Sequence, residues 1–145
     1  MFGKRKKVDE TKVADLVSML GGVAFFDGFS PDELHRVAEL AEEMSADEGA
    51  LLIDQGRVGQ ECYVIAEGEA GVLAGDELIA TIGPGSIVGE SALIEHRPRN
   101  ASVVATTPMQ LIVFDTAAFK TLLSEMPKVH DRVMATLAER YRPRS

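Results

Sequence analysis

Residues 83–104 read GPGSIVGESALIEHRPRNASVV, a glycine-punctuated run that breaks into a polar segment and returns as a strand. Charge gives this stretch its meaning. Between Val13 and Pro127 the chain carries 19 Asp and Glu against five cations, Arg36, Arg57, Arg97, Arg99 and Lys120, and two of the five stand in the tripeptide Arg97-Pro98-Arg99. An acidic surface repels anions, so a pocket that accepts one must gather its cations locally. Pro98 fixes its own φ and biases Arg97 towards extended backbone, which holds both guanidinium stems on a stiff piece of chain. Gly89 precedes Glu90-Ser91-Ala92-Leu93, a segment able to form one helical turn whose free N–H groups would face the same anion. An arginine and a helix start together make a phosphate cradle.

Glu90 needs a separate reason, because a carboxylate beside a phosphate site is repulsive unless it has its own partner. A ribose hydroxyl is the natural one, as in dinucleotide sites where an acidic residue takes the 2'-OH. Phosphate and ribose together mean a nucleotide. Val88-Gly89-Glu90-Ser91-Ala92-Leu93, then Pro98-Arg99-Asn100-Ala101-Ser102-Val103, resembles the phosphate-binding cassette of the cyclic nucleotide-binding domain family. Gln55-Gly56-Arg57-Val58-Gly59, followed by Tyr63-Val64-Ile65 and Gly68, is similar to a second stretch of that family, so the likeness covers nearly the whole chain. The resemblance implies a ligand-binding set of Gly89, Glu90, Ser91, Ala92, Arg99, Asn100 and Ala101. In it Glu90 would take the ribose 2'-OH and Arg99 the cyclic phosphate, with further hydrogen bonds from the backbone around Gly89, Ala92 and Ala101. Asn100 either touches phosphate or caps the local turn. The chain departs from the family pattern at Val88 for Phe, Ser91 for Leu, Gln60 for Asp, and Asn100 where Ala, Ser or Thr is common.

With 145 residues, 46% of them hydrophobic, the chain suits one domain with a single buried core. A formal charge of −8 disfavours nucleic acid, whose binding rests on neutralising phosphates. Cys62 is the sole cysteine, which excludes an internal disulfide framework or a multi-cysteine metal site and fits a cytoplasmic, reducing location. The longest uncharged run, Ala101 to Phe114, is too short for a membrane span and holds Pro108, so stable insertion is not expected. Residues 1–12, with Lys4-Arg5-Lys6-Lys7, read as a solvated basic tail.

Val13, Leu16, Val17 and Leu20 fall at helical spacing up to Gly21-Gly22. Ser30-Pro31-Asp32-Glu33 carries an N-cap, a proline at the first helical position and a capping box. Leu34, Val37, Ala38, Ala41 and Met44 follow as one apolar helical face, opposite a solvated Asp32, Glu39, Glu42 and Glu43. Nine of the 13 glycines lie between Gly49 and Gly89, separating short apolar runs that include 51–53, 62–66, 71–74 and 78–82, with 101–105 and 111–114 beyond. Such spacing predicts an antiparallel sandwich or barrel. Phe119, Leu122, Leu123 and Met126 restore the helical period, and Val129, Val133, Leu137 and Tyr141 form a last stripe that packs on the barrel or on a second copy.

His35, His96 and His130 are scattered without metal-pair spacing, and Ser86, Ser91 and Ser102 lack an evident base, so neither catalysis nor a cofactor is expected. The expected architecture is mainly β: an antiparallel jelly-roll barrel of the cyclic nucleotide-binding, cupin-like double-stranded β-helix type, with flanking helices. Its domain spans 13–145, divided into N-terminal helices 13–47, barrel 48–115 with the cassette at 83–104, and C-terminal helices 116–145. The resemblance implies a stand-alone sensor of cyclic AMP, with cyclic GMP the other candidate ligand, that signals to an unidentified effector protein. The family's transcription factors continue into a DNA-reading domain and cap the base from their long helix; with the chain closing at Ser145, neither feature is expected here, and selectivity for the purine is expected to be modest. A homodimer through the C-terminal helix is one route to such a cap. The competing expectation is an interaction module of the same fold whose pocket stays empty.

Overall fold

The computed structural model describes residues 2–90 and 99–140, apart from the side chains of 136, 137, 139 and 140. Nine short strands carry it: β1 (Lys6–Lys7), β2 (Glu42–Ala46), β3 (Leu51–Ile53), β4 (Glu61–Glu67), β5 (Ala70–Ala74), β6 (Glu77–Ile82), β7 (Ile87–Val88), β8 (Ser102–Ala105) and β9 (Met109–Asp115). They pair into a five-stranded sheet in the order β1-β2-β9-β4-β7 and a four-stranded sheet in the order β3-β8-β5-β6. Every pairing is antiparallel. Among the described residues four α-helices flank the sheets: α1 (Val13–Gly21), α2 (Pro31–Glu39), α3 (Thr116–Glu125) and α4 (Pro127–Arg140). None of the described helices is long and apolar enough to cross a membrane.

The continuous apolar runs of β4 and β9 are explained by burial on both faces. Side chains alternate across a strand, so Tyr63, Ile65, Leu111 and Val113 point into a core shared with Leu52, Ile53 and Val103 of the other sheet. Cys62, Val64, Ile112 and Phe114 point the other way, into a second core built with the helices. Burying one such aliphatic or aromatic side chain contributes about 1.5–3 kcal/mol, so this β4–β9 pair is the fold's main anchor. Val129 and Val133 of α4 are fully buried in the helical core. The first half of the C-terminal stripe therefore packs within the chain, while Leu137 and Tyr141 fall outside the described side chains.

Two expectations are corrected. Helix α2 stops at Glu39, and Glu42–Ala46 is β2. Ala41 and Met44 only happened to continue the helical period; five residues of β2 pair with β9, and that ladder outcompetes one more turn of helix. The basic tail is not wholly loose either. Lys6 and Lys7 stand opposite Glu43 and Glu42 as an edge strand, where opposite charges across a pair are favourable.

The capping box at Ser30 is present: the Ser30 N–H donates to Glu33 Oε1 at 2.9 Å and the Glu33 N–H donates to Ser30 Oγ at 3.2 Å. Lys128 of α4 donates to the same Glu33 Oε1 at 2.8 Å, joining helix starts that are 95 residues apart. That bond, then the Ser30 N–H, lowers the Glu33 carboxyl from 4.5 to about 2. Because the folded value lies below the unfolded one, the resulting stability is present above pH 4.5 and is lost as pH falls through about 2. Thermal melts at a series of pH values should show Glu33→Gln less stable than the parent near neutrality, with the gap closing between pH 4.5 and 2. A gap that stays constant with pH would show that Glu33 does not supply this dependence.

Candidate functional site

Arg99 is the point at which three distant segments meet. Pairing of β8 with β3 brings the chain before β8 alongside the loop after β3. There the Arg99 N–H donates to Arg57 O and the Gly56 N–H donates to Arg99 O, both at 2.8 Å. These bonds fix the backbone of Arg99 and aim its side chain. Nη1 then donates to Gly89 O at 3.0 Å and Nη2 to Glu61 O at 2.7 Å. Glu61 opens β4 and Gly89 follows β7, which pairs with β4 through Tyr63 opposite Val88. A guanidinium has five N–H donors. Two are committed to these carbonyls, and the rest remain available to an anion among the described residues.

Two glycines make room for that guanidinium. A Cβ on Gly59 would overlap Arg99 Nη2, Nε and Cζ. A Cβ on Gly89 would stand 2.7 Å from Arg99 Nη1 and 2.9 Å from Glu61 O, and its φ of +90° is itself a glycine conformation. Gly59 is a site residue that sequence reasoning quoted only as part of a motif, without a role. Gly59 lies in the loop before β4, where glycine is ordinary, and the group that packs against it lies 40 positions along the chain, so nothing local marked it.

Among the described residues the buried charged side chains are Glu90, 1% exposed, and Arg99, 8% exposed. Burial pulls the Arg99 guanidinium below its usual range, opposed by the negative groups around it, Glu61 and Glu90 among them. Burial, then Glu90, pushes the Cys62 thiol well up, so Cys62 is a neutral core group beside the site. Tyr63 is pushed to about 12, first by burial and then by Glu61. Opposite charges this close offset part of each other's burial cost, and the two carbonyls that accept from Arg99 offset more of it.

A cavity of about 280 Å³ opens onto Arg99, walled by Leu52, Ile53, Gly59, Gln60 and Glu61. That is just under the roughly 300 Å³ at which ligand pockets begin, and Arg99 lines it while Gly89 and Glu90 do not. Of the expected ligand set, Gly89, Glu90 and Arg99 come together. Asn100 is exposed, and Ala101 is half-buried just before β8. Ser91 and Ala92, like Arg97, lie outside the described residues, and so does the expected helical turn. The Ser102 hydroxyl is engaged elsewhere, accepting from the Gln55 N–H at 2.9 Å. No cluster of three or more His, Cys, Asp or Glu able to hold a metal occurs among the described residues.

Arg99, cradled by Gly59 and Gly89, thus ties loops of the two antiparallel sheets together. Residues 43–126 match the profile described as the cyclic nucleotide-binding domain, and the chain belongs to that family. Among curated proteins it is 33% identical over 138 residues to the acetyltransferase Pat of Mycolicibacterium smegmatis, covering 92% of this chain and 40% of that protein. It is 29% identical over 126 residues to the cyclic AMP receptor protein of Thermus thermophilus, covering 83% of this chain and 58% of that one. Among solved structures, the regulatory domain of Toxoplasma gondii PKA with cAMP superposes with a TM-score of 0.78 at 26% identity, over 90% of this chain and 51% of that chain. The chain thus spans between 40% and 58% of the length of these relatives.

Proposed function

We propose that the chain binds a cyclic nucleotide, cyclic AMP in the first instance, and acts as a regulatory module that passes the signal to a protein partner in the cytoplasm. The observation that carries this reading is the buried pair: Glu90 and Arg99, sequestered together with the guanidinium anchored on two carbonyls. Arg99 takes the cyclic phosphate with the donors it does not spend on Gly89 and Glu61. Glu90 takes the ribose 2'-OH. A carboxylate is an acceptor only, so a hydroxyl donor completes it where a second phosphate oxygen would repel it. Gly89, Ser91, Ala92, Asn100 and Ala101 are assigned to the remaining contacts. The names of two relatives, a cyclic AMP receptor and a kinase regulatory domain with cAMP, support the choice of ligand. No catalytic role is assigned to this chain.

Calorimetric titration of the full chain with cyclic AMP and cyclic GMP tests the reading, with chromatography of the ligand afterwards to check that it is returned unchanged. A hydrogen bond to a charged group contributes about 1.5–3 kcal/mol, so Glu90→Gln should weaken cyclic AMP binding about ten- to a hundredfold. It should also shrink the preference for cyclic AMP over its 2'-deoxy analogue. An unchanged preference removes Glu90 from the ribose, and no binding by the parent favours the interaction module with an empty pocket.

A further inference from the structure

One edge of the five-stranded sheet is filled by the chain's own first residues. Lys6 and Lys7 pair with Glu43 and Glu42, Phe2 bridges to Ala46, and the Gly3 N–H donates to Ser45 O at 2.9 Å. Arg5 stands 3.8 Å from Glu42 and 3.7 Å from Glu61. Every residue from Phe2 to Lys7 is exposed, and none enters either core. The arm is therefore held by edge hydrogen bonds and solvent-facing ion pairs, the latter worth about 0–1 kcal/mol each. Segments held in this way open at the low end of local stability.

What lies beneath the arm is a specific surface. Strand β2 pairs with β9 along all five of its residues in one register, whereas the arm meets Glu42, Glu43, Ser45 and Ala46 but slips by one residue between the Phe2 bridge and β1, leaving Met44 without a partner residue in the arm's ladder. An open strand edge is a template for another strand, and this one presents Glu42 and Glu43 with Glu61 beside them. Its present occupant is the most basic segment of an acidic chain. We propose that the β2 edge is a docking site for a basic, extended segment of a partner polypeptide, which adds as an antiparallel strand after displacing residues 2–7. A continuous partner strand pairs along β2 in a single register, without the arm's one-residue slip, which is how it outcompetes a tethered occupant. A second copy supplies only the same arm and the same contacts, and gives up the advantage of the tether. The docking edge adjoins the ligand site, since Glu61 faces Arg5 with its carboxylate and Arg99 with its carbonyl. The proposal stands on the edge alone and holds whether or not a nucleotide binds.

The test uses the full chain in three forms: the parent, an arm-released variant carrying Arg5→Glu, Lys6→Glu and Lys7→Glu, and that variant with Glu42→Lys and Glu43→Lys added. A fluorescent basic peptide of a sequence other than the arm's, Thr-Lys-Val-Arg-Val-Lys-Val, is titrated by anisotropy. It should bind the arm-released variant at least tenfold tighter than the parent, lose at least tenfold on the Glu42→Lys/Glu43→Lys form, and weaken with salt. Lys6→Pro, which removes a ladder N–H without reversing charge, should open the edge likewise and guards against an unfolded triple variant. Equal binding to the parent and both released forms, no loss on reversing Glu42 and Glu43, or no binding at all overturns the proposal. So does dimerisation of the released variants without peptide in sedimentation, which would make a second copy the occupant.

Discussion

Arg99→Ala is expected to lower affinity for cyclic AMP about ten- to a hundredfold, the effect of losing a charged hydrogen bond of about 1.5–3 kcal/mol to the phosphate. The structure adds a second consequence. The side chain donates to Gly89 O and Glu61 O, so truncation also strips donors from two carbonyls beside a cavity that water can enter. Stability should fall by about 1–3 kcal/mol if those carbonyls stay dry and by less if water replaces the guanidinium. Calorimetry and thermal melts on one preparation separate the two losses. Arg99→Lys keeps the charge but cannot span both carbonyls and an anion, and should recover little of the affinity. A truncated variant that binds as tightly as the parent would place the anion elsewhere.

Gly59→Ala is expected to reduce affinity by an amount close to that of Arg99→Ala, through a residue with no group to offer a ligand. The added methyl would occupy the space of the guanidinium, and a flexible side-chain end yields before a backbone does. Arg99 would leave its two carbonyls and lose its aim. Folding should suffer less than binding, since Gly59 has no positive φ that alanine would resist. A double-mutant cycle isolates the mechanism. In the Arg99→Ala background the three atoms nearest the added methyl are gone, so Gly59→Ala should then change affinity by less than twofold. Additive losses would instead mean that the loop 56–61 acts on the ligand independently of Arg99.

Local pattern was enough to read β3 to β6, β8 and β9, because each is an apolar run closed by a turn. β4 shows why: its Cys62 to Ile65 segment is buried on both faces, so the run is unbroken. β2 reads Glu-Glu-Met-Ser-Ala and β1 Lys-Lys, with no alternation to detect. They are strands because β9 offers an edge to one and opposite charges fix the other, and both causes lie far along the chain. β7, two residues long, is a strand only through β4. The site divides in the same way. Glu90 and Arg99 stood out because an acidic chain must account for a clustered arginine and its nearby carboxylate. Gly59 and the Glu61 carbonyl did not, since each acquires its role only when Arg99 folds across to it.

The bonds around Arg99 also order events in time. Its guanidinium closes a loop of 38 residues at Glu61, and its backbone closes a longer one at Gly56. Closing a loop of this length costs roughly 3 kcal/mol of chain entropy, recovered only once non-local strands have paired. The binding pocket is therefore among the last features to appear as the chain folds, and a nascent chain still lacking β8 has β4 and β7 but no clamp. On the proposed function, ligand affinity would report a finished topology, and a ligand present during synthesis would reward only the chains that have reached it.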